Sequence, residues 1–162
     1  MKQTIRVFVA TAAAALAATV PAAVEAHFKL LEPAPAIIES ERGDPQKAAP
    51  CGVTPDAKPS EIVTKATGGS KIHLKVAETI YHPGHYRVAL AVNSRTELPV
   101  DPVTVERMTD RGPYSVWAAI QSPAQLPVLA DGLFQHYTRP ASPQTFEADI
   151  QLPNITCPKC SL

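Results

Sequence analysis

The sequence predicts an all-β fold, an antiparallel sandwich of short strands. Proline occurs 17 times against 7 glycines in 162 residues, and it recurs every few positions between short apolar stretches. Each proline removes a backbone donor and clashes with the preceding helical turn, so long helices are disfavoured. Several of the apolar stretches alternate with period two, the spacing of a half-buried strand. Short strands bounded by Pro, Gly, Asn and Asp point to a sandwich. The length suits one domain.

The elements follow in chain order. Phe28 to Leu31 forms a first apolar strand, and Ser40 to Pro59 is a long proline-rich loop that holds Cys51. Ile72, Leu74 and Val76 share one strand face, with His73 and Lys75 on the solvent side. Tyr86, Val88, Leu90 and Val92 form a second face, and Phe146, Ala148 and Ile150 a third. Glu61 to Thr67 and Pro102 to Met108 are weaker strands, Val116 to Gln121 is a short helix or strand, and Asp131 to His136 reads as a loop. From Pro153 to Leu162 a turn leads into a strand that the chain only begins, so the expected sandwich lacks its last strand.

The N-terminus carries a leader. Met1, Lys2 and Arg6 precede an alanine-rich apolar run from Val7 to Val24, and Val24-Glu25-Ala26 closes it in the small-x-small pattern of a secretory signal peptide. Pro21 interrupts the run and no basic flank follows it, which argues against a membrane anchor. Cleavage after Ala26 makes residues 1–26 a signal peptide and 27–162 the mature domain, exported to the periplasm or the medium. With 15 basic and 15 acidic residues and no strongly basic stretch, nucleic acid is not an expected partner. No second apolar run is long enough to span a membrane, and the mature chain is expected to be a monomer.

That cleavage gives His27 a free α-amine beside its imidazole. The two nitrogens chelate one metal, and a third nitrogen from another histidine completes an N₃ set that suits Cu(II). An α-amine ordinarily titrates at about 7.7–8.0, so a metal displaces its proton near neutral pH. His82-Pro83-Gly84-His85 is the densest histidine cluster, in a turn that opens a strand and can aim an imidazole at the chain start. His82 is the expected second ligand and His85 its alternative. His136 is a surface residue or a neighbour of the site. Glu78 and Arg87 flank the cluster, and by charge alone each is expected on a solvated strand face.

In their order, these segments resemble the lytic polysaccharide monooxygenases. His27 at a cleavage site followed by Phe28-Lys29-Leu30-Leu31-Glu32-Pro33 is similar to the start of such an enzyme. Glu78-Thr79-Ile80-Tyr81-His82-Pro83-Gly84-His85-Tyr86-Arg87-Val88-Ala89-Leu90 is similar to the strand that bears the second histidine. Pro50-Cys51-Gly52 and Leu152 to Leu162 resemble segments of chitin-active relatives, and the chain as a whole resembles a bacterial polysaccharide-monooxygenase-like group. The resemblance implies an immunoglobulin- or fibronectin-like sandwich with one copper ion in a histidine brace. It also implies oxidative cleavage of a polysaccharide, with an electron donor or peroxide as co-reactant, and a second layer of polar residues for which Glu78, Arg87 and His136 are candidates. The strand that supplies an axial aromatic in that family is absent here, and Tyr86 and Phe134 do not match its position. Tyr81, Trp117 and Tyr137 are candidate glycan contacts. The competing reading is a periplasmic copper carrier without catalysis.

Cys51, Cys157 and Cys160 are the disulfide candidates of an exported chain. Cys51 is expected to pair with Cys157 or Cys160, closing a loop of about 110 residues worth in theory over ~4 kcal/mol. A zinc site would need more ligands than the Cys-x-x-Cys segment and Cys51 supply.

Overall fold

A computed structural model describes residues 27–45, 52, 54–110, 112–158 and 160–162. The expected leader, the Ala26–His27 junction and Cys51 lie outside the described residues. The fold is all-β and antiparallel, with strands β1 (His27–Glu32), β2 (Lys71–Ile80), β3 (Gly84–Ala89), β4 (Thr104–Thr109), β5 (Gly112–Ala118), β6 (Val128–His136) and β7 (Thr145–Gln151). One 3₁₀ turn, Arg95–Glu97, lies between β3 and β4 and is capped by the Ser94 hydroxyl.

The strands make a three-stranded sheet in the order β1-β2-β7 and two pairs, β3-β6 and β4-β5. Leu74 and Val76 of β2 and Ile150 of β7 meet Val88 of β3 in one buried cluster, with Phe28, Tyr86, Leu133, Phe134 and Phe146 packed around it. Burying these side chains between the β1-β2-β7 sheet and the β3-β6 pair is the apolar driving force of the sandwich. Period two accounts for the pattern in β2, where Leu74, Val76 and Glu78 are buried and Lys71 and His73 are exposed. The solvent-facing position expected of His73 is the one observed.

Three expectations need correction. Residues 61–67 form no strand and are exposed throughout, because their alternation has no neighbouring strand to pack on. Residues 131–136 are not a loop but the second half of β6. Asp131-Gly132 carries the signature of a turn, yet here Gly132 (φ +68°) and Phe134 (φ +51°) are irregularities inside a paired strand. Cys157 is bonded to Cys160, not to Cys51. The two lie three positions apart with Cα atoms 5.7 Å from each other, within reach of a bridge across the turn at Pro158. So small a ring is worth only about 2 kcal/mol on the loop-entropy account.

Val116–Ala118 belongs to strand β5. After the Cys157–Cys160 turn, Ser161 and Ala91 exchange both of their backbone hydrogen bonds, at 2.8 and 2.9 Å. Leu162 then reaches the core.

Candidate metal and ligand site

The histidines gather through strand register. His27, the first residue of β1, stands opposite Ile80 of β2, two positions before His82. Gly84, two positions after His82, stands opposite His136 of β6. One end of the sandwich therefore carries the start of β1, the 81–83 turn and the end of β6.

His27 is buried, and its Nε2 lies 3.0 Å from Asp44 Oδ1. Asp44 arrives there on a tight turn in which the Ser40 hydroxyl accepts from the Arg42 and Asp44 amides. Gly43 makes the approach possible. Its φ is +95°, and a side chain there would overlap the Phe28 carbonyl of β1. Of the two ring nitrogens of His27, only Nδ1 is close enough to its own α-nitrogen to close a chelate. A carboxylate on Nε2 is the arrangement that orients a metal-binding imidazole.

His82 shows the same division of labour. Its Nδ1 lies 2.8 Å from the Pro83 carbonyl. A carbonyl only accepts, so Nδ1 carries the proton and Nε2 the lone pair. The ring stacks on Tyr114 of β5, with centroids 5.2 Å apart and planes 28° apart.

Glu78 lies behind this turn. It is in phase with Leu74 and Val76, so the period of β2 carries a carboxylate to the core side, correcting the solvated position its charge suggests. It is only 4% exposed. Its Oε1 accepts from the His82 amide at 3.2 Å and lies 3.1 Å from His136 Nε2, while Oε2 has no hydrogen-bond partner among the described residues. His136 Nδ1 donates to the Phe134 carbonyl. With an acceptor on each side, His136 is an imidazolium against a carboxylate or a neutral ring against a Glu78 O–H; either way one buried proton is held between them. Tyr86 and Phe146 stack on the His136 ring and Tyr81 meets it edge-on. Burial, and then the Glu78 charge, push the Tyr86 phenol well above its ordinary pKa, so it stays protonated.

His85 lies elsewhere. Alternation along β3 puts it with Arg87 on the face opposite Tyr86. Its Nε2 is 3.4 Å from Asp131 Oδ1, and its buried Nδ1 has no hydrogen-bond partner among the described residues. Arg87, expected on a solvated face, is largely buried and donates to Asp131 Oδ2 at 2.6 Å. Asp131 also accepts from the Gln121 and Gly132 amides, both at 2.8 Å. Burial alone raises the Asp131 pKa, but the Arg87 hydrogen bond and these amides outweigh it and hold the carboxyl below its ordinary value. The structure thus groups His27, His82, His136 and Glu78 at one end and places His85 and Arg87 on Asp131.

Among the described residues, no three His, Cys, Asp or Glu side chains converge in a metal-holding group. A brace is built differently, from two imidazoles and one main-chain amine, and the ring-nitrogen assignments of His27 and His82 fit that donor set.

Tyr81, Pro83, Tyr114 and Tyr137 line a cavity of about 290 Å³ together with Arg107, Thr109 and Val116. It adjoins His82 through Tyr114. Trp117 is not among its walls; it is half exposed and paired with Val105 across the β4-β5 hairpin. Sequence reasoning missed Asp44, Asp131 and Tyr114. The first two sit in turn-like segments that read as solvated, and Tyr114 follows a glycine and a proline with no period to place it.

No helix among the described residues is long and apolar enough to cross a membrane. Set against protein-family models, curated proteins and solved structures, the chain matches none.

Proposed function

We propose that the mature chain is an exported mononuclear copper protein that holds the metal through the α-amine and Nδ1 of His27 and through Nε2 of His82, and that it oxidises a polysaccharide. The observation that carries this reading is the register of β1 on β2, which puts His27 opposite Ile80 and so beside the turn that bears His82. Asp44 and the Pro83 carbonyl support it, because each occupies the ring nitrogen that a brace does not use. His85, paired with Asp131 on the other face, is the weaker candidate for second ligand. The assignment to polysaccharide oxidation rests on the sequence resemblance.

Bound copper would supply one-electron chemistry on oxygen or peroxide at an open coordination position. The chain's own residues bind and orient. Asp44 fixes the His27 ring, Tyr114 holds the plane of His82, and Glu78 ties the His82 amide to His136. The Glu78–His136 pair keeps a proton beside the turn in a setting walled by Tyr81, Tyr86 and Phe146, and it is the group able to move a proton there.

The test compares two proteins, one beginning at His27 and one with a single residue before it, each titrated with Cu(II) and followed by electron paramagnetic resonance. The first should give one axial signal at one equivalent, and the second should bind at least a hundred-fold more weakly. Equal affinity would overturn the brace. Release of oxidised oligosaccharides by the reduced, copper-loaded protein distinguishes catalysis from copper carriage.

A further inference from the structure

The cavity between the β4-β5 hairpin and the 81–83 turn has a chemistry of its own. Three tyrosines, Tyr81, Tyr114 and Tyr137, form its walls, and among the described residues Arg107 is the only charged one lining it. Arg107 and Tyr114 are cross-strand partners, so both side chains stand on one face of the hairpin. Arg107 forms no ion pair among the described residues. A second guanidinium, Arg139, lies over the Tyr81 ring with Cζ 5.3 Å from its centroid. No carboxylate among the described residues lines the cavity; the nearby Glu78 is buried and turned onto His136.

Aromatic faces bind the flat C–H surface of a ring, and a guanidinium with phenolic donors binds a carboxylate. At about 290 Å³ the space stands at the small end of ligand pockets and suits a single ring. We propose that this pocket binds a carboxylate carried on a six-membered ring, the unit shared by a uronic acid residue of an acidic glycan and a small aromatic acid. The choice of a glycan as one source rests on the polysaccharide reading above; the pocket chemistry does not. The copper-binding and pocket hypotheses can therefore fail separately.

Metal-free protein, kept in chelator, is titrated with trigalacturonate, its methyl ester, galactotriose and 4-hydroxybenzoate, with amide shifts followed by nuclear magnetic resonance. Saturable shifts at Tyr81, Tyr114 and Tyr137 with trigalacturonate and not with its ester or galactotriose support the proposal with a glycan source. The same shifts with 4-hydroxybenzoate alone support it with a small-molecule source. Arg107→Gln should weaken the binding about ten-fold or more, as loss of a charge-assisted hydrogen bond does. Arg107 is exposed on β4, so the fold survives this change, and Tyr114→Leu gives a second check by removing the stacking wall. No binding by either acid, equal binding of galactotriose, or affinity unchanged in Arg107→Gln would overturn the proposal.

Discussion

Glu78 Oε1 lies 3.1 Å from His136 Nε2, a contact between residues 58 positions apart in sequence. It joins β2 to the end of β6 through the interior, where water cannot replace either partner. Removing one member of a buried pair leaves the other unsatisfied, which costs several kcal/mol. Glu78→Ala should lower the unfolding free energy by about 3 kcal/mol in a guanidinium titration. Glu78→Gln, which keeps an acceptor for the His82 amide, should cost less than half as much.

Asp131 makes acid stability measurable. Its carboxyl pKa is lowered in the fold by Arg87 and two amides despite burial. A depressed carboxylate stabilises above its unfolded pKa of about 3.9, and that contribution disappears as pH falls through the lower folded value. Thermal unfolding followed from pH 5 to pH 2 should show a drop that Asp131→Asn flattens. The same variant should be less stable at pH 7 because Arg87 loses its anionic partner.

His73 should titrate above the ordinary histidine value. Asp149 at 3.0 Å and Glu147 at 3.4 Å accept from its two ring nitrogens on the outer face of β2 and β7, and they favour the charged ring. The sign is opposite to that of Asp131. The stabilisation is complete below pH ~6.5 and is lost as pH rises through the folded pKa. A ring-proton titration should give a midpoint above 6.5, and Asp149→Asn should bring it down.

Gly43→Ala should loosen the turn that carries Asp44. The new methyl meets a positive φ and the Phe28 carbonyl together. A cost of about 2 kcal/mol is expected in denaturant. The His27 ring resonances should shift as Asp44 withdraws, whereas Gly84→Ala, with open space at its Cβ, should leave them in place.

Period two made β2, β3 and β7 legible because each has one face on the core. It also held the position of Glu78, since a residue in phase with Leu74 and Val76 must point inward. Charge was the misleading signal there and at Arg87, because a carboxylate and a guanidinium can both be buried when a partner arrives from a distant strand. Those partners, His136 and Asp131, lie in β6, whose Asp-Gly step reads locally as a turn. Residues 61–67 failed in the opposite way, since their alternation has no sheet to join. The histidine arrangement depends on cross-strand register, which no local spacing in the sequence records.

The irregular register of β6 also sets a limit on how the chain can vary. The ladder that takes β3 from Ala89 back to Gly84 takes β6 from Val128 to His136, so β6 spends extra residues to cover the same distance. Those residues act as a counted spacer. Losing one of them between Ala130 and His136 would rotate the later side chains to the opposite face. His136 would leave its cage of Tyr81, Tyr86 and Phe146, and Glu78 would remain in the interior with no ring to meet. A change of length in β6 is thus more damaging than most changes of residue type in it.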